Sequence, residues 1–312
     1  MRTSNVIQEI ELNTSNICGA SCIICSRAHG NGNIPFMPPE IFNELVKQLK
    51  DVDFKMIQTS GNGEALLNPH HLDYISTIRK NWPSIPMWTY NNFSFMTKDK
   101  AERIVNERLF DSVTVRIDSL HKWIFEKNSN LNQDIVFENL KYFLSINKDI
   151  PVVLLYNNIT EYYAKCLRVT GHRPARDYFS DADLAKVTNE EQDIRNYFQP
   201  FSKVPLRMSH MGHSLWGERH HAPLNPTAPC PKWNVINNVT WVCPNGDIDV
   251  CCYDDTQSRF VAGNIMKEHI LDIFYGPKRA EILANIKSRA YKDYPCTNPV
   301  CCSFGDGGME PK

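Results

Sequence analysis

Three thiols stand close together early in the chain, Cys18, Cys22 and Cys25, with three residues in the first gap and two in the second. Thiolates at that spacing can hold three irons of a [4Fe–4S] cluster and leave the fourth iron open to a small ligand. The next cysteine is Cys166, so no fourth ligand is near in sequence. A zinc knuckle is the competing use of such a group. A second feature is Gly61-Asn62-Gly63-Glu64. Glycines let the backbone approach a ligand, and a carboxylate can accept hydrogen bonds from an ammonium group. Seven more cysteines, Cys230, Cys243, Cys251, Cys252, Cys296, Cys301 and Cys302, lie in the last third and imply a second metal site.

Short β-like runs at 6–12, 54–60, 85–90, 112–118, 151–157 and 203–209 alternate with helical patterns. Repeated βα units predict an α/β fold, a partial (βα)6 TIM barrel short of the eight strands of the full one. The cysteine loop then follows the first strand, and the glycine-glutamate turn follows the second. Pro38-Pro39-Glu40 opens a helix, with further helices predicted at 72–80, 98–108 and 135–146 and less regularly over 162–201. Period-2 alternation on the fourth strand puts Thr114, Arg116 and Asp118 on the face toward the barrel interior. Asp118 can equally cap a following helix. After about His210 the βα pattern stops, giving domains 1–215 and 216–312. The second domain reads as a small cysteine-rich β-hairpin about Asn245-Gly246, from apolar runs at 235–242 and 248–252, then a helix over 270–287.

The cysteine loop and the Gly61–Glu64 turn together resemble the radical S-adenosylmethionine superfamily. The resemblance implies that the open iron is chelated by the amino and carboxylate groups of the cofactor's methionine part. It implies that Gly61, Gly63 and Glu64 hold the amine, with Arg116, Asp118 and Asn157 as candidates for the carboxylate and ribose. Two positions depart from the family pattern. Ile24 stands where an aromatic residue usually precedes the third cysteine, and Tyr90-Asn91-Asn92-Phe93 ends the third strand where Thr-Asn-Gly is expected.

Cys230, fifteen residues, Gly246, four residues and Cys251 resemble the start of the C-terminal extension of the SPASM and twitch groups. The tail adds only Cys296, Cys301 and Cys302, which fits one auxiliary [4Fe–4S] cluster on Cys230, Cys251, Cys296 and either Cys301 or Cys302. A zinc site on the same thiolates is the alternative. Cys252 follows on the opposite strand face and is the candidate hydrogen-atom donor to a substrate radical, or a small buried hydrophobe. Cys166 and Cys243 are expected to be buried. His210, His213, His220 and His221, with Arg207 and Arg219, mark the junction where a substrate should bind.

The resemblance implies reductive cleavage of S-adenosylmethionine, with flavodoxin or ferredoxin as electron donor, and hydrogen abstraction from a small polar, carbohydrate-like substrate. Epimerisation through Cys252 is the first expectation. Two-electron dehydrogenation of an alcohol, peptide or protein side-chain modification, and a non-catalytic iron–sulfur or zinc protein are the alternatives. The cysteine loop begins at Cys18, with no peptide-recognition domain ahead of it, which favours the small substrate. Composition narrows the partners: 312 residues carry 34 Lys+Arg against 35 Asp+Glu, which argues against a nucleic-acid or anionic-membrane binder working by bulk attraction. A chain 42% hydrophobic can bury a large core. No run approaches the length of a membrane span and the start lacks a signal-peptide core, so a cytoplasmic, reducing location is expected, in which metal binding explains the cysteines better than disulfides do.

Overall fold

Alternation of burial along the first strands sets the layers. In the computed structural model, which describes residues 6–25, 34–59, 61, 63–174, 177–187, 190–210, 233–251, 260–288 and 290, Val6–Ile7 and Glu9–Leu12 form β1 and β2. Ile10 and Leu12 are fully buried, whereas Glu9 and Glu11 on the other face are partly exposed. Helix α1 (Pro39–Leu49) follows, then β3 (Asp53–Phe54), β4 (Ile57–Thr59), α2 (His71–Asn81), β5 (Met87–Asn91), α3 (Lys98–Asn106), β6 (Ser112–Ile117) and α4 (Lys122–Ser129). Next come α5 (Gln133–Ile146), β7 (Val152–Tyr156), α6 (Ile159–Thr170), α7 (Asp181–Ala185), α8 (Glu191–Phe198) and β8 (Arg207–His210). Strands β2, β4, β5, β6, β7 and β8 are neighbours in that order, all parallel. Neighbours in space that follow chain order are the mark of a singly wound, barrel-like sheet, which carries its helices on one face and leaves the other for side chains and ligands.

Local chemistry explains the helices. Pro39 supplies the preset φ of the first turn of α1, whose Ile41, Phe42, Leu45 and Leu49 are buried. Thr97, Asn132 and Asn158 accept hydrogen bonds from backbone N–H groups at the starts of α3, α5 and α6. The irregular helical stretch expected over 162–201 resolves into α6, α7 and α8, with a capping box at Ser180 and Asp183 starting the short α7.

The C-terminal part is built onto the open edge of this sheet. It comprises α9 (Trp233–Asn238), β9 (Val239–Val242), β10 (Asp247–Asp249), β11 (Val261–Asn264), α10 (Ile270–Phe274) and α11 (Pro277–Lys287). β9 lies parallel to β2, from Glu9 opposite Val239 to Leu12 opposite Val242, and β10 and β11 continue antiparallel. One nine-stranded sheet therefore runs from the barrel into the hairpin, and the 215/216 boundary lies outside the described residues. The hairpin expected at Asn245-Gly246 forms, with Gly246 left-handed at φ +84° and its N–H on Cys243 O at 2.9 Å. Two expectations are corrected. The apolar run from 235 begins as α9, and becomes a strand only at Val239. The helix expected over 270–287 is two, because Pro277 holds Gly276 extended at ψ 160° and starts a new first turn.

Gln48 of α1 fastens the two parts. Its Nε2 donates to Ile265 O at 2.7 Å, and its Oε1 accepts from Ile270 N at 2.8 Å, both buried. Removing that amide strands a buried carbonyl and a buried N–H. Gln48→Ala is expected to lower stability by about 2–4 kcal/mol in urea unfolding, while the near-isosteric Gln48→Glu at low pH, where it is protonated, recovers much of it.

Candidate functional site

Barrel chemistry gathers at the C-terminal ends of parallel strands, and the cysteine loop leaves β2 at that end. Its start is fixed by the segment after β4. Asn68 Nδ2 donates to Thr14 O at 2.8 Å, Glu64 N to Ile17 O at 2.9 Å, and Thr14 Oγ1 lies 3.0 Å from His71 Nδ1. Its far end is fixed by α4. Ser21 N donates to Ser129 O at 2.9 Å and Ile23 N to Asn128 O at 3.0 Å, using carbonyls that a helix C-terminus leaves unpaired. Cys22 is buried, with Cys18 and Cys25 on its two sides partly exposed.

The glycine-glutamate turn packs against the start of that loop. A Cβ at Gly63 would come within 2.1 Å of Ser15 O and 2.5 Å of Ile17 O, and Gly61 takes φ +132° against Asn13. Glycine at both places is a steric requirement. Glu64 is 3% exposed, and its Oε1 accepts from Leu66 N at 3.3 Å and its Oε2 from Asn92 N at 2.9 Å. Burial pushes its carboxyl up to about 7 against these hydrogen bonds and the nearby Lys100. Asn92 also places Nδ2 3.5 Å from Cys18 Sγ. The next residue, Phe93, adopts φ +61° where the family pattern has glycine, and its fully buried ring holds it there against strain of about 1 kcal/mol.

The third part centres on Asp118, which is 1% exposed. Its carboxylate accepts from Arg116 Nε at 2.8 Å and Nη2 at 2.5 Å, from Asn128 Nδ2 at 2.6 Å and from Asn157 Nδ2 at 2.8 Å. The N-cap of α4 is His121, so Asp118 caps no helix. Arg116 Nη1 lies 2.6 Å from Cys22 Sγ. Burial opposes the charge on Arg116, and the Asp118 carboxylate outweighs it, holding the guanidinium firmly protonated. Burial pushes the Cys22 thiol up to about 12, with Arg116 pulling the other way.

Cys18, Cys22, Cys25, Gly61, Gly63, Glu64, Arg116, Asp118 and Asn157 are thus all on the segments that follow β2, β4, β6 and β7 or end them. Asn92 joins them from the third-strand end already set against the family pattern, and Asn128 joins them without a signal in the sequence, since its role depends on what packs beside it. Cys251 is buried beyond β10, which runs antiparallel to β9 and carries it toward the N-terminal end of β2, away from the cysteine loop. Cys166 and Cys243 are buried as expected. Cys230, Cys252, Cys296, Cys301 and Cys302, the histidines after His210, and Arg219 lie outside the described residues.

The donor set fits an iron–sulfur cluster and a polar cofactor. Among the described residues no three His, Cys, Asp or Glu side chains converge on one ion, whereas a cubane takes each thiolate on a different iron. Asn128 Oδ1 and Asn157 Oδ1 are buried acceptors with no hydrogen-bond partner among the described residues, the condition that a ribose hydroxyl or an amine donor relieves.

Residues 230–302, which run from Cys230 to Cys302, match the SPASM family model, an iron–sulfur cluster-binding domain. Among curated protein sequences none matches. The fold is shared with BtrN in complex with AdoMet and 2-DOIA, at 17% identity over 92% of this chain and 90% of that one, with a TM-score of 0.55. Streptococcus suis SuiB bound to precursor peptide SuiA gives 14% identity over 90% of this chain and 67% of that one, TM-score 0.59. Native anSMEcpe with bound AdoMet gives 14%, over 89% and 83%, TM-score 0.55.

The raised carboxyl of Glu64 sets a pH dependence. A group with a folded-state value near 7 and an ordinary value of 4.5 adds stability below about pH 4.5 that is lost as pH rises through about 7. Glu64→Gln should flatten that part of the melting-temperature profile of the metal-free chain; an unchanged profile would mean Glu64 is not the titrating group.

Proposed function

We propose, from the premise that this chain has the architecture of a radical S-adenosylmethionine enzyme with a SPASM domain, that it abstracts a hydrogen atom from a C–H bond of a small polar substrate. The observation carrying this reading is the convergence of the cysteine loop, the Glu64 turn and the Asp118 network at one end of the parallel sheet. Cys18, Cys22 and Cys25 hold the first [4Fe–4S] cluster. Gly61, Gly63 and Glu64 receive the amine of S-adenosylmethionine, and Asn157 offers its orphan oxygen to a donor of the same cofactor. When bound, the cluster and cofactor supply reductive cleavage and a species able to remove a hydrogen atom from carbon. Cys230, Cys251 and Cys296, with Cys301 or Cys302, hold an auxiliary cluster. We place the protein in the cytoplasm, with flavodoxin or ferredoxin as electron donor.

The inner sheet face supports a polar substrate with a flat or cationic part. Trp88 and Tyr90, on a central strand, remain 40% and 41% exposed there. Glu9, Glu11 and Gln58 share the face, with Trp241 Nε1 donating to Glu11 Oε2 at 2.6 Å. Burial raises the Glu9 carboxyl, and burial followed by the Glu11 and Glu9 charges raises Tyr90. These groups bind and orient the substrate and exclude water around it. In the epimerase reading Cys252 would give a hydrogen atom to the opposite face of the substrate carbon, and the thiyl radical left on its sulfur would be restored to the thiol by one electron from the flavodoxin or ferredoxin and one proton from solvent. A SPASM match that extends to Cys302 favours, as the second reading, dehydrogenation with the auxiliary cluster accepting the second electron.

Anaerobically reconstituted, reduced protein should convert S-adenosylmethionine to 5′-deoxyadenosine, and replacing Cys18, Cys22 and Cys25 by Ala should abolish it and halve the iron. Persistent absence of 5′-deoxyadenosine with both clusters intact would sink the reading. For the epimerase branch, solvent deuterium should enter the product, and Cys252→Ala should stop incorporation while hydrogen abstraction continues. Equal labelling by that variant removes Cys252 from the chemistry.

A further inference from the structure

The resemblance assigns Arg116 to the cofactor, and its surroundings say something more specific. Two of its donors, Nε and Nη2, form a fork on the Asp118 carboxylate, at 2.8 and 2.5 Å. That fork fixes the guanidinium plane, because a planar group held at two points keeps no free rotation. Asp118 is itself held by Asn128 from α4 and Asn157 from the end of β7. The direction left for Nη1 leads to Cys22 Sγ, 2.6 Å away. The Arg116 side chain is 19% exposed, its partner across the sheet on β7 is the apolar Leu155, and Cys22 is 5% exposed. Backbone bonds from Ser21 and Ile23 to the end of α4 hold the cysteine against this donor.

We infer that Arg116, oriented by Asp118, donates a hydrogen bond to the cluster-ligating sulfur of Cys22 and raises the reduction potential of the cluster held there. The inference rests on the reading of Cys18, Cys22 and Cys25 as cluster ligands. A hydrogen bond to a ligand sulfur stabilises the more electron-rich, reduced state, and groups outside the ligand set tune potentials in this way. Asp118 neutralises the charge of Arg116, so the effect comes from one directed N–H group. Lysine keeps the charge but lacks the fork, and cannot hold Asp118 and reach Cys22 in the same geometry.

The test uses the full chain, reconstituted anaerobically, as wild type, Arg116→Lys and Asp118→Asn. Iron content, S-adenosylmethionine affinity by equilibrium dialysis, and an EPR-monitored redox titration are read on each. The titration follows the signal that changes when S-adenosylmethionine is added, which separates it from the auxiliary cluster. Arg116→Lys should keep its iron and its cofactor affinity, while the ratio of reduced to oxidised cluster at fixed potential falls by about tenfold. Asp118→Asn, which keeps the donor but loosens it, should give a smaller fall. An unchanged ratio in Arg116→Lys overturns the inference, and does so in favour of a cofactor-carboxylate contact if affinity drops instead. Loss of iron from both variants also overturns it, making Arg116 a residue of the fold. A wild type without the S-adenosylmethionine-responsive cluster fails the proposed function itself, which is a separate outcome.

Discussion

A carboxylate removed from water needs its lone pairs filled, and Asp118 fills them with donors from three elements. The fork from Arg116 belongs to β6, Asn128 to α4 and Asn157 to the end of β7. Breaking such a buried pair on one side costs about 3–5 kcal/mol, because it leaves an uncompensated charge. That cost gives the network its authority over position. With α4 held by Asn128, its terminal carbonyls are placed to receive Ser21 and Ile23, and the cysteine loop acquires a fixed far end. Three thiols separated by short gaps in a loop would otherwise be free to scatter.

The near end of the loop depends on close approach instead of charge. Gly63 lies against the carbonyls of Ser15 and Ile17 with no room for a side chain, so the turn after β4 and the loop after β2 are in direct backbone contact. The parallel pairing of β9 with β2 adds a second consequence. β2 carries the cysteine loop at one end and, through β9 and β10, is coupled to the approach of Cys251 toward the other. A single strand therefore links the cysteine loop to the approach of Cys251, and one face of the sheet beside it carries Glu9, Glu11, Gln58, Trp88 and Tyr90.

Much of this was legible because it is local. Cysteine spacing, the Gly61–Glu64 turn, the alternation that turns Arg116 inward and the Asn245-Gly246 hairpin are properties of neighbouring residues. The split at Pro277 has a local cause too, since proline restricts the residue before it, although the apolar spacing on either side reads as one helix. Asn128 and Gln48 were not legible, because Asn128 meets Asp118 only through the turn into α4 and Gln48 takes its role from partners more than two hundred residues away. Phe93 is the opposite case: its position departs from the expected glycine, yet the backbone keeps the left-handed shape that glycine would take, with burial of the ring against Phe143 opposing the strain. The shape of the strand end is thus set by what surrounds it and not by the residue's own preference.

Two buried carboxylates beside the cysteine loop, Asp118 and Glu64, have opposite environments. Asp118 meets a guanidinium and two amides, so its charge is answered inside the protein and little of it is left for a ligand. Among the described residues Glu64 accepts hydrogen bonds from two backbone N–H groups, and the cation nearby, Lys100, directs its Nζ to the carbonyls of Leu66 and Phe95 at 2.7 and 3.2 Å. Burial accordingly outweighs these hydrogen bonds and the Lys100 charge and pushes its carboxyl up to about 7. In the proposed reading the amine of the cofactor would supply the matching cation beside Glu64, and the gain would be available only with that group bound. By the same logic a fork like that on Asp118 could not serve at Glu64, since a carboxylate already matched to arginine has no reason to select a cofactor.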